Sequence, residues 1–170
     1  MLQPNKILVI RFSSLGDLIL TSPIFRELRR IFPGANLNLL TSVGFGDVLD
    51  NNPHLDRIIK HPRKENFEQL NQLIEELQAE DFDLIYDAHR SMRSRWIVSR
   101  LTAFGMKRQP AVWKIDKRTL NRKLLIHLGY NRLQQGLSQR EQWLLPLKQH
   151  APHGLDASTE LFPDQKDIDL

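Results

Sequence analysis

Five short apolar runs alternate with helical patterns along this chain, and the alternation strongly limits its possible folds. The runs cover residues 6–12, 36–41, 55–60, 83–87 and, more weakly, 108–112. The first run has no polar alternation, which is typical of a parallel strand covered on both faces. Strands that alternate with helices form βαβ units around a parallel sheet. We therefore predict an α/β domain over residues 1–150, with a parallel sheet and flanking helices.

Helical patterns follow these runs at 17–31, 43–49, 66–80, 91–104, 119–128 and 138–145. Pro23 lies inside the first pattern and predicts either a kink or a restart capped by Ser22. Pro146 ends the last pattern. From Ala151 onward the periodicity fades, which is typical of an extended segment. We predict that residues 151–170 form a linker or tail, as in one lobe of a larger protein.

The composition excludes several classes of protein. The chain has 170 residues, of which 41% are hydrophobic and 26% are charged, as in an ordinary globular domain. It has no apolar run of about 18 residues and no signal-peptide pattern, so we expect no transmembrane helix. The absence of cysteine excludes disulfides and thiolate metal sites. The net charge of +4 fits an anionic partner, and it equally fits an ordinary solvated surface.

The turn after the first strand carries the main candidate for chemistry. Residues 13–16 form a tight turn, and Asp17 then opens a helical pattern. This places a carboxylate at the carboxyl end of a strand, where open α/β sheets bind ligands. A carboxylate beside Gly16, which permits close approach, is suited to act as a catalytic base. Capping of the helix is the alternative role for Asp17, and Ser13 and Ser14 either bind a polar ligand or satisfy the turn.

A basic cluster follows the third strand. It consists of Lys60, His61, Arg63 and Lys64. Pro62 favours an extended path there, so a simple helix face is not expected. Because the cluster lies at the same carboxyl edge as Asp17, it predicts a site for phosphate or carboxylate. The alternative is a solvated loop.

Two further basic clusters follow the fourth and fifth strands. In the first, Arg90 and Arg93 lie near a helix start capped by Ser91 or Ser94, an arrangement that attracts anions. His89, in the same turn, is a candidate substrate contact. The second cluster, part of which is expected on a helix face, contains Lys114, Lys117, Arg118, Arg122 and Lys123.

Several common motifs are absent from the sequence. There is no glycine-rich dinucleotide or nucleotide phosphate loop, no zinc or calcium ligand spacing and no GxSxG nucleophile turn. The basic clusters lack the aromatic platform of single-strand nucleic-acid binders. We therefore expect no nucleic-acid partner and no metal.

Several phrases of the sequence, taken in order, resemble the ADP-heptose:lipopolysaccharide heptosyltransferase family, glycosyltransferase family 9. They are ILVIRFSSLGD at 7–17, LTSP at 20–23, FPGANL at 32–37, NPHLDRII at 52–59 and FDLIYDAHRS at 82–91. The family-like spacing extends through the first 95 residues and weakens afterwards. The resemblance implies a GT-B fold, in which two Rossmann-like lobes enclose the active site. These 170 residues are expected to contain the N-terminal, acceptor-binding lobe, with the tail leading toward a C-terminal lobe that binds the donor.

The resemblance also implies an activity: inverting, metal-independent transfer of heptose from ADP-heptose to the lipopolysaccharide inner core, without a cofactor. Asp17 is then the general base, and ADP-heptose is expected to bind mainly the C-terminal lobe. Candidate contacts for the anionic acceptor, with its lipid A, phosphates and Kdo carboxylates, are Ser13, Ser14, Gly16, Lys60, Arg63, Lys64 and His89 and, more weakly, Arg118 and Arg122. The implied location is cytoplasmic, with peripheral contact at the inner membrane face.

Two other functions remain open from the sequence. One is a non-catalytic module that binds anionic glycolipid or a protein partner through the same basic edge. The other, weaker, is a nucleic-acid-binding α/β domain. Because one lobe offers only half of a cleft, we expect the isolated chain to have little or no transferase activity.

Overall fold

The sheet is parallel throughout. The computed structural model describes residues 3–103, 109–116 and 136–164. Its strands are β1 (Lys6–Ile10), β2 (Asn36–Ser42), β3 (Arg57–His61), β4 (Leu84–Asp87) and β5 (Ala111–Lys114). They lie in the order β3-β2-β1-β4-β5, and each neighbouring pair is parallel. This order, with β1 in the centre, confirms the predicted Rossmann-like α/β fold.

Helices connect the strands across both faces of the sheet. They are α1 (Leu15–Ile19), α2 (Ser22–Ile31), α3 (Phe67–Ala79), α4 (Met92–Leu101) and α5 (Gln139–Leu144), with 3-10 helices at Gly46–Leu49 and Leu145–His150. The sequence predicts the starts of α3 and α4 well because both have side-chain caps. Asn66 accepts a hydrogen bond from Gln69 N at 2.8 Å, and Ser91 accepts one from Ser94 N at 3.1 Å.

The central strand packs on both faces, which explains why it reads as a continuous apolar run. Ile7 and Val9 point to the face covered by α1, α2 and α5, whereas Leu8 and Ile10 point to the face covered by α3 and α4. All four side chains are fully buried. A strand buried on both sides needs no polar alternation.

Several boundaries differ from the sequence prediction: β3 is Arg57–His61 instead of 55–60, and the helix predicted at 43–49 is the 3-10 helix Gly46–Leu49. The pattern at 17–31 is two helices, and α2 is capped by Thr21, with Ser22 as its first helical residue, so the predicted cap at Ser22 is wrong. The fifth strand begins at Ala111 instead of residue 108, directly after Pro110, which has no N–H to donate to a sheet. Residue 108 and the helix predicted at 119–128 lie outside the described residues.

Residues 151–164 contain no helix or strand, and they lie against α2. Arg26 of α2 binds Glu160 and Asp156, and Leu155 and Ala157 pack on the core beside α2. This segment is therefore extended and attached to the sheet domain. The assignment of 151–170 to a linker stays a prediction.

Candidate active site

Asp17 lies in the short helix α1, just beyond the carboxyl end of the central strand β1. Its Oδ2 binds Arg11 Nη2 at 2.6 Å and accepts a hydrogen bond from Ser14 Oγ at 3.3 Å. Oδ1 has no hydrogen-bond partner among the described residues, and the side chain is 35% exposed. One carboxylate oxygen is thus fixed, and no described residue occupies the other, so within this part of the chain Oδ1 can accept a hydrogen bond from a ligand.

Arg11 is a buried cation beneath Asp17. Its side chain is 5% exposed, Nη1 donates to the carbonyl of Ala88, and Cζ lies 4.6 Å from the centroid of a Trp143 ring. Burial lowers the pKa of Arg11, and the negative charges of Asp17 and Asp87 oppose that effect. Arg11 is not among the site residues predicted from the sequence. The available signal was a charged residue inside a run that is otherwise apolar.

The turn after β4 is shaped by Asp87, which is buried. Its Oδ1 accepts hydrogen bonds from the backbone N–H groups of His89 and Arg90 at 3.1 and 2.7 Å, and Oδ2 accepts one from Ser94 Oγ at 3.1 Å. His89 then lies edge-on to Phe12, with ring centroids 5.7 Å apart. Because β4 is paired with β1, this turn brings His89 to the edge of the sheet that carries Asp17.

A second cluster joins the loop after β3 to the start of α4. Glu65 Oε1 binds Arg93 Nε at 2.5 Å, and Glu65 Oε2 also contacts His61 Nε2. The Arg93 guanidinium lies over the Phe12 ring, with Cζ 3.9 Å from its centroid. Burial lowers the pKa of Arg93, and the charge of Glu65 opposes this. Arg93 is therefore engaged within the fold, and the role of Glu65 could not be predicted from its place in the sequence.

The basic residues after β3 have different environments. Lys60 Nζ lies 2.7 Å from Asp47 Oδ1 and 2.8 Å from Asp50 Oδ1, and hydrogen bonds to these two carboxylates raise the pKa of Lys60. Its charge is already compensated, so this geometry does not favour Lys60 as an anion contact. Arg63 and Lys64 are exposed, and neither forms a salt bridge with the described residues.

The space beside Asp17 is open. Ser14 and Gly16 are exposed, Ser13 is half-buried, and a Cβ at Gly16 would meet no atom of the described residues within 4 Å. An incoming hydroxyl can therefore approach the turn from solvent. Arg118 and Arg122 lie outside the described residues.

Within the part of the chain that the structure describes, metal sites and membrane-spanning helices are both absent. No group of three or more His, Asp or Glu residues there is arranged to hold a metal ion. None of its helices is long and apolar enough to cross a membrane.

Comparison with known proteins agrees with the resemblance seen in the sequence. No protein-family model matches the chain. Lipopolysaccharide heptosyltransferase 1 of Pseudomonas aeruginosa is 26% identical over 166 residues, which cover 89% of this chain and 46% of that protein. The enzyme of the same name from Escherichia coli K12 is also 26% identical, with 92% of this chain and 46% of that protein covered. The chain is therefore similar to lipopolysaccharide heptosyltransferase 1 over somewhat less than half the length of that protein.

Solved structures show the same fold. A glycosyl transferase family 9 protein from Veillonella parvula superimposes with a TM-score of 0.66 at 21% identity, covering 94% of this chain and 45% of that one. The E. coli heptosyltransferase WaaC, solved with ADP-2-deoxy-2-fluoro heptose, gives a TM-score of 0.59 at 24% identity, covering 86% and 47%. The chain thus spans less than half the length of these heptosyltransferase relatives and corresponds to their N-terminal part.

Proposed function

We propose that these residues form the acceptor-binding lobe of an inverting heptosyltransferase, which transfers heptose from ADP-heptose to the lipopolysaccharide inner core without a metal ion. The names of the relatives and the shared fold support this proposal. One observation in the chain itself carries it: the Asp17 carboxylate, with Oδ2 fixed by Arg11 and Oδ1 available, lies at the carboxyl edge of the sheet.

In the proposed reaction, Asp17 Oδ1 accepts the proton of an acceptor hydroxyl. The hydroxyl oxygen forms a bond to the anomeric carbon of the heptose while the bond from that carbon to the diphosphate breaks, and ADP leaves. Attack from the face opposite the leaving group inverts the anomeric configuration. General-base help of this kind typically contributes about 10²–10⁴-fold in rate. Arg11 fixes the direction in which the carboxylate points.

Arg63 and Lys64 are the proposed contacts for the phosphates and Kdo carboxylates of the acceptor. Both are exposed, and their charges are not compensated by any described residue. His89, Ser13 and Ser14 border the open space beside Asp17 and are proposed to bind acceptor hydroxyls. Arg118 and Arg122 stay predictions of the same kind. Lys60 is left out because Asp47 and Asp50 already bind it.

Titration of the isolated chain tests the acceptor role. We expect a soluble inner-core oligosaccharide to bind in a salt-sensitive manner, ADP-heptose not to bind, and no transfer product to be detected by mass spectrometry. Turnover by the isolated chain would show that a second lobe is unnecessary. Absence of oligosaccharide binding would contradict the acceptor-lobe proposal.

A chimera tests the catalytic role. This chain would replace the corresponding N-terminal part of the E. coli K12 relative, and heptose transfer would be measured with and without Asp17→Asn. We expect the chimera to be active and the variant to lose about 10²–10⁴-fold in rate. An equally active variant would return Asp17 to helix capping.

The exposed and uncompensated charges of Arg63 and Lys64 fit one alternative equally well, a binding module without catalysis. That module would bind the oligosaccharide with the same salt dependence and would give an inactive chimera that is nonetheless folded. The chimera therefore separates the two functions, whereas binding alone does not.

A further inference from the structure

Helices α3 and α4 lie side by side on one face of the sheet, and their outer surfaces carry opposite charges. α3 contains three glutamates and neither lysine nor arginine, whereas α4 contains three arginines and no acidic residue. The exposed charges that form no salt bridge with the described residues are Glu68, Glu75 and Glu76 of α3 and Arg95 and Arg100 of α4. This face of the domain is thus divided into an acidic half and a basic half.

Three large apolar side chains are exposed between these charges. Phe67, the first residue of α3, is 68% exposed, and Met92, the first residue of α4, is 88% exposed. Trp96 is 43% exposed and lies on the same side of α4 as Met92, because residues four apart share one side of a helix. Exposed aromatic and Met side chains grouped with Arg are typical of the interfaces between proteins.

Two contacts between α3 and α4 show how the helices are aligned along their length. At the helix starts, Arg93 Nε binds Glu65 Oε1 at 2.5 Å. Near the ends, Gln78 Nε2 donates a hydrogen bond to the carbonyl of Arg100 at 3.0 Å. The two helices therefore run in the same direction from a common level. Glu75 and Arg100 are the ninth residues of their helices, so they lie at similar heights.

The same contacts show which side of each helix faces the other. Gln78 reaches α4, and Phe67 lies three turns before it on the same side of α3. Arg93 reaches α3, and Arg100 lies two turns after it on the same side of α4. Phe67 therefore borders the groove between the helices, and Trp96, one turn after Arg93, lies near it. The exposed apolar side chains gather at one end of this groove.

A second copy of the chain complements this surface when a two-fold axis runs parallel to the helices. Such an axis places α3 of one copy opposite α4 of the other and leaves the heights of their residues unchanged. Glu75 then faces Arg100 of the other copy, and Glu68 faces Arg95. Each of these pairs of opposite charges occurs twice, because the interface is symmetric. The apolar side chains of both copies meet near the axis.

We propose that the chain forms a symmetric dimer through the α3–α4 face, which consists of the exposed residues of α3 and α4. An arrangement that paired α3 with α3 would bring like charges together, so the charges select the axis described above. Residues 151–164 pack with α2 on the opposite face of the sheet and leave the α3–α4 face uncovered. In this dimer the carboxyl edges of both sheets, each with its Asp17, point to the same side.

Sedimentation velocity over a series of protein concentrations tests the dimer. We expect an equilibrium between monomer and dimer that salt shifts toward the monomer. Arg100→Glu and Glu75→Arg should each raise the dissociation constant about tenfold or more, because each brings like charges together at two places. Met92→Ser should raise it about tenfold, since it removes an apolar side chain from each copy.

Two control variants change exposed residues outside the α3–α4 face. Leu161→Ser matches Met92→Ser, and Lys148→Glu matches Arg100→Glu. Neither control should change the dissociation constant. Circular dichroism would verify that every variant is folded.

A mixture of the two charge variants is the sharpest test. In a dimer of one Arg100→Glu chain with one Glu75→Arg chain, both contacts again pair an acidic with a basic side chain. The mixture should therefore dimerise about as tightly as the unmodified chain, although each variant alone does not. Trp96 supplies a second measurement: its fluorescence emission should shift to shorter wavelengths on dimerisation, and Trp96→Phe should abolish the shift.

Three results would overturn the proposal. They are an unmodified chain that stays monomeric at every accessible concentration, charge variants that dimerise as the controls do, and a mixture that stays monomeric. None of these measurements uses a sugar, so their outcome does not depend on the proposed function.

Discussion

At the scale of single residues, the two partners of the ion pair between Arg11 and Asp17 differ in their burial. Arg11 is almost completely buried, whereas Asp17 is partly exposed. Asp17→Asn leaves a buried guanidinium without its carboxylate, although the carbonyl of Ala88 remains. Because Asp17 is partly solvated, we expect the free energy of unfolding to fall by about 1–2 kcal/mol, less than for a fully buried pair. Denaturant unfolding measures this.

Asp47→Asn is the control for that prediction. Asp47 is exposed, and its partner Lys60 keeps a second carboxylate in Asp50. We expect a loss below about 0.5 kcal/mol, as is usual for exposed ion pairs. Equal losses in the two variants would mean that Asp17 does little to stabilise Arg11.

Gly16 offers a prediction that separates folding from binding. It is helical, and a Cβ at this position meets no atom within 4 Å. Alanine stabilises helix interiors by about 0.5–1 kcal/mol relative to glycine, so Gly16→Ala should not lower the free energy of unfolding. Its methyl group would, however, enter the open space beside Asp17 and weaken binding of the inner-core oligosaccharide. Gly34→Ala, equally uncrowded but at the other edge of the sheet, should leave the affinity unchanged in the same titration.

At the scale of elements, Asp56 joins α2, β2 and β3. Its Oδ2 accepts hydrogen bonds from Leu37 N and from Arg29 Nη2, both at 2.6 Å. Burial alone would raise the pKa of Asp56, but these hydrogen bonds and the charge of Arg29 outweigh it and lower the pKa below its ordinary value of 3.8. A carboxyl with a lowered pKa contributes stability above its unfolded-state pKa, and that stability is lost as the pH falls through the folded-state pKa.

Asp56→Asn should therefore lower stability at neutral pH, and its difference from the unmodified chain should shrink as the pH falls below 3.8. Thermal unfolding measured across the acid range provides the comparison. A difference that stays constant down to the lowest pH would mean that packing, rather than the charge of Asp56, accounts for the loss.

The elements also show what the sequence can reveal. Strands β1 to β4 are predictable because each is a local apolar run, and α3 and α4 because their caps lie beside them. The placement of Asp17 just beyond the end of β1 is predictable from a turn that is local in sequence, whereas its catalytic role stays a prediction. The position of Arg11 against Trp143 is not predictable, because 132 residues separate the two and only the fold brings them together. The pairing of Lys60 with Asp47 and Asp50 is not predictable from the sequence either.

At the scale of the whole molecule, residues 151–164 are held to the sheet domain by a network of charges. Arg26, mostly buried, binds Glu160 Oε1 at 2.5 Å and the carbonyl of Asp156 at 2.8 Å. Glu160 also lies 3.1 Å from His54 Nε2, and its N–H donates to Ser22 Oγ at 2.9 Å. The start of α2 thus fixes the path of the chain as it leaves the second 3-10 helix.

Arg26→Ala should release this segment. It removes the cation shared by Glu160 and Asp156, so we expect the amides of Ser158 and Glu160 to exchange hydrogen about tenfold faster or more. The free energy of unfolding should fall by about 1–2 kcal/mol, since Arg26 is mostly buried whereas its partners Glu160 and Asp156 are partly exposed. Arg57→Ala, which removes a half-exposed partner of Glu80, should change neither quantity measurably. Unchanged exchange at Glu160 in Arg26→Ala would mean that Ser22 and the apolar contacts of Leu155 suffice to hold the segment.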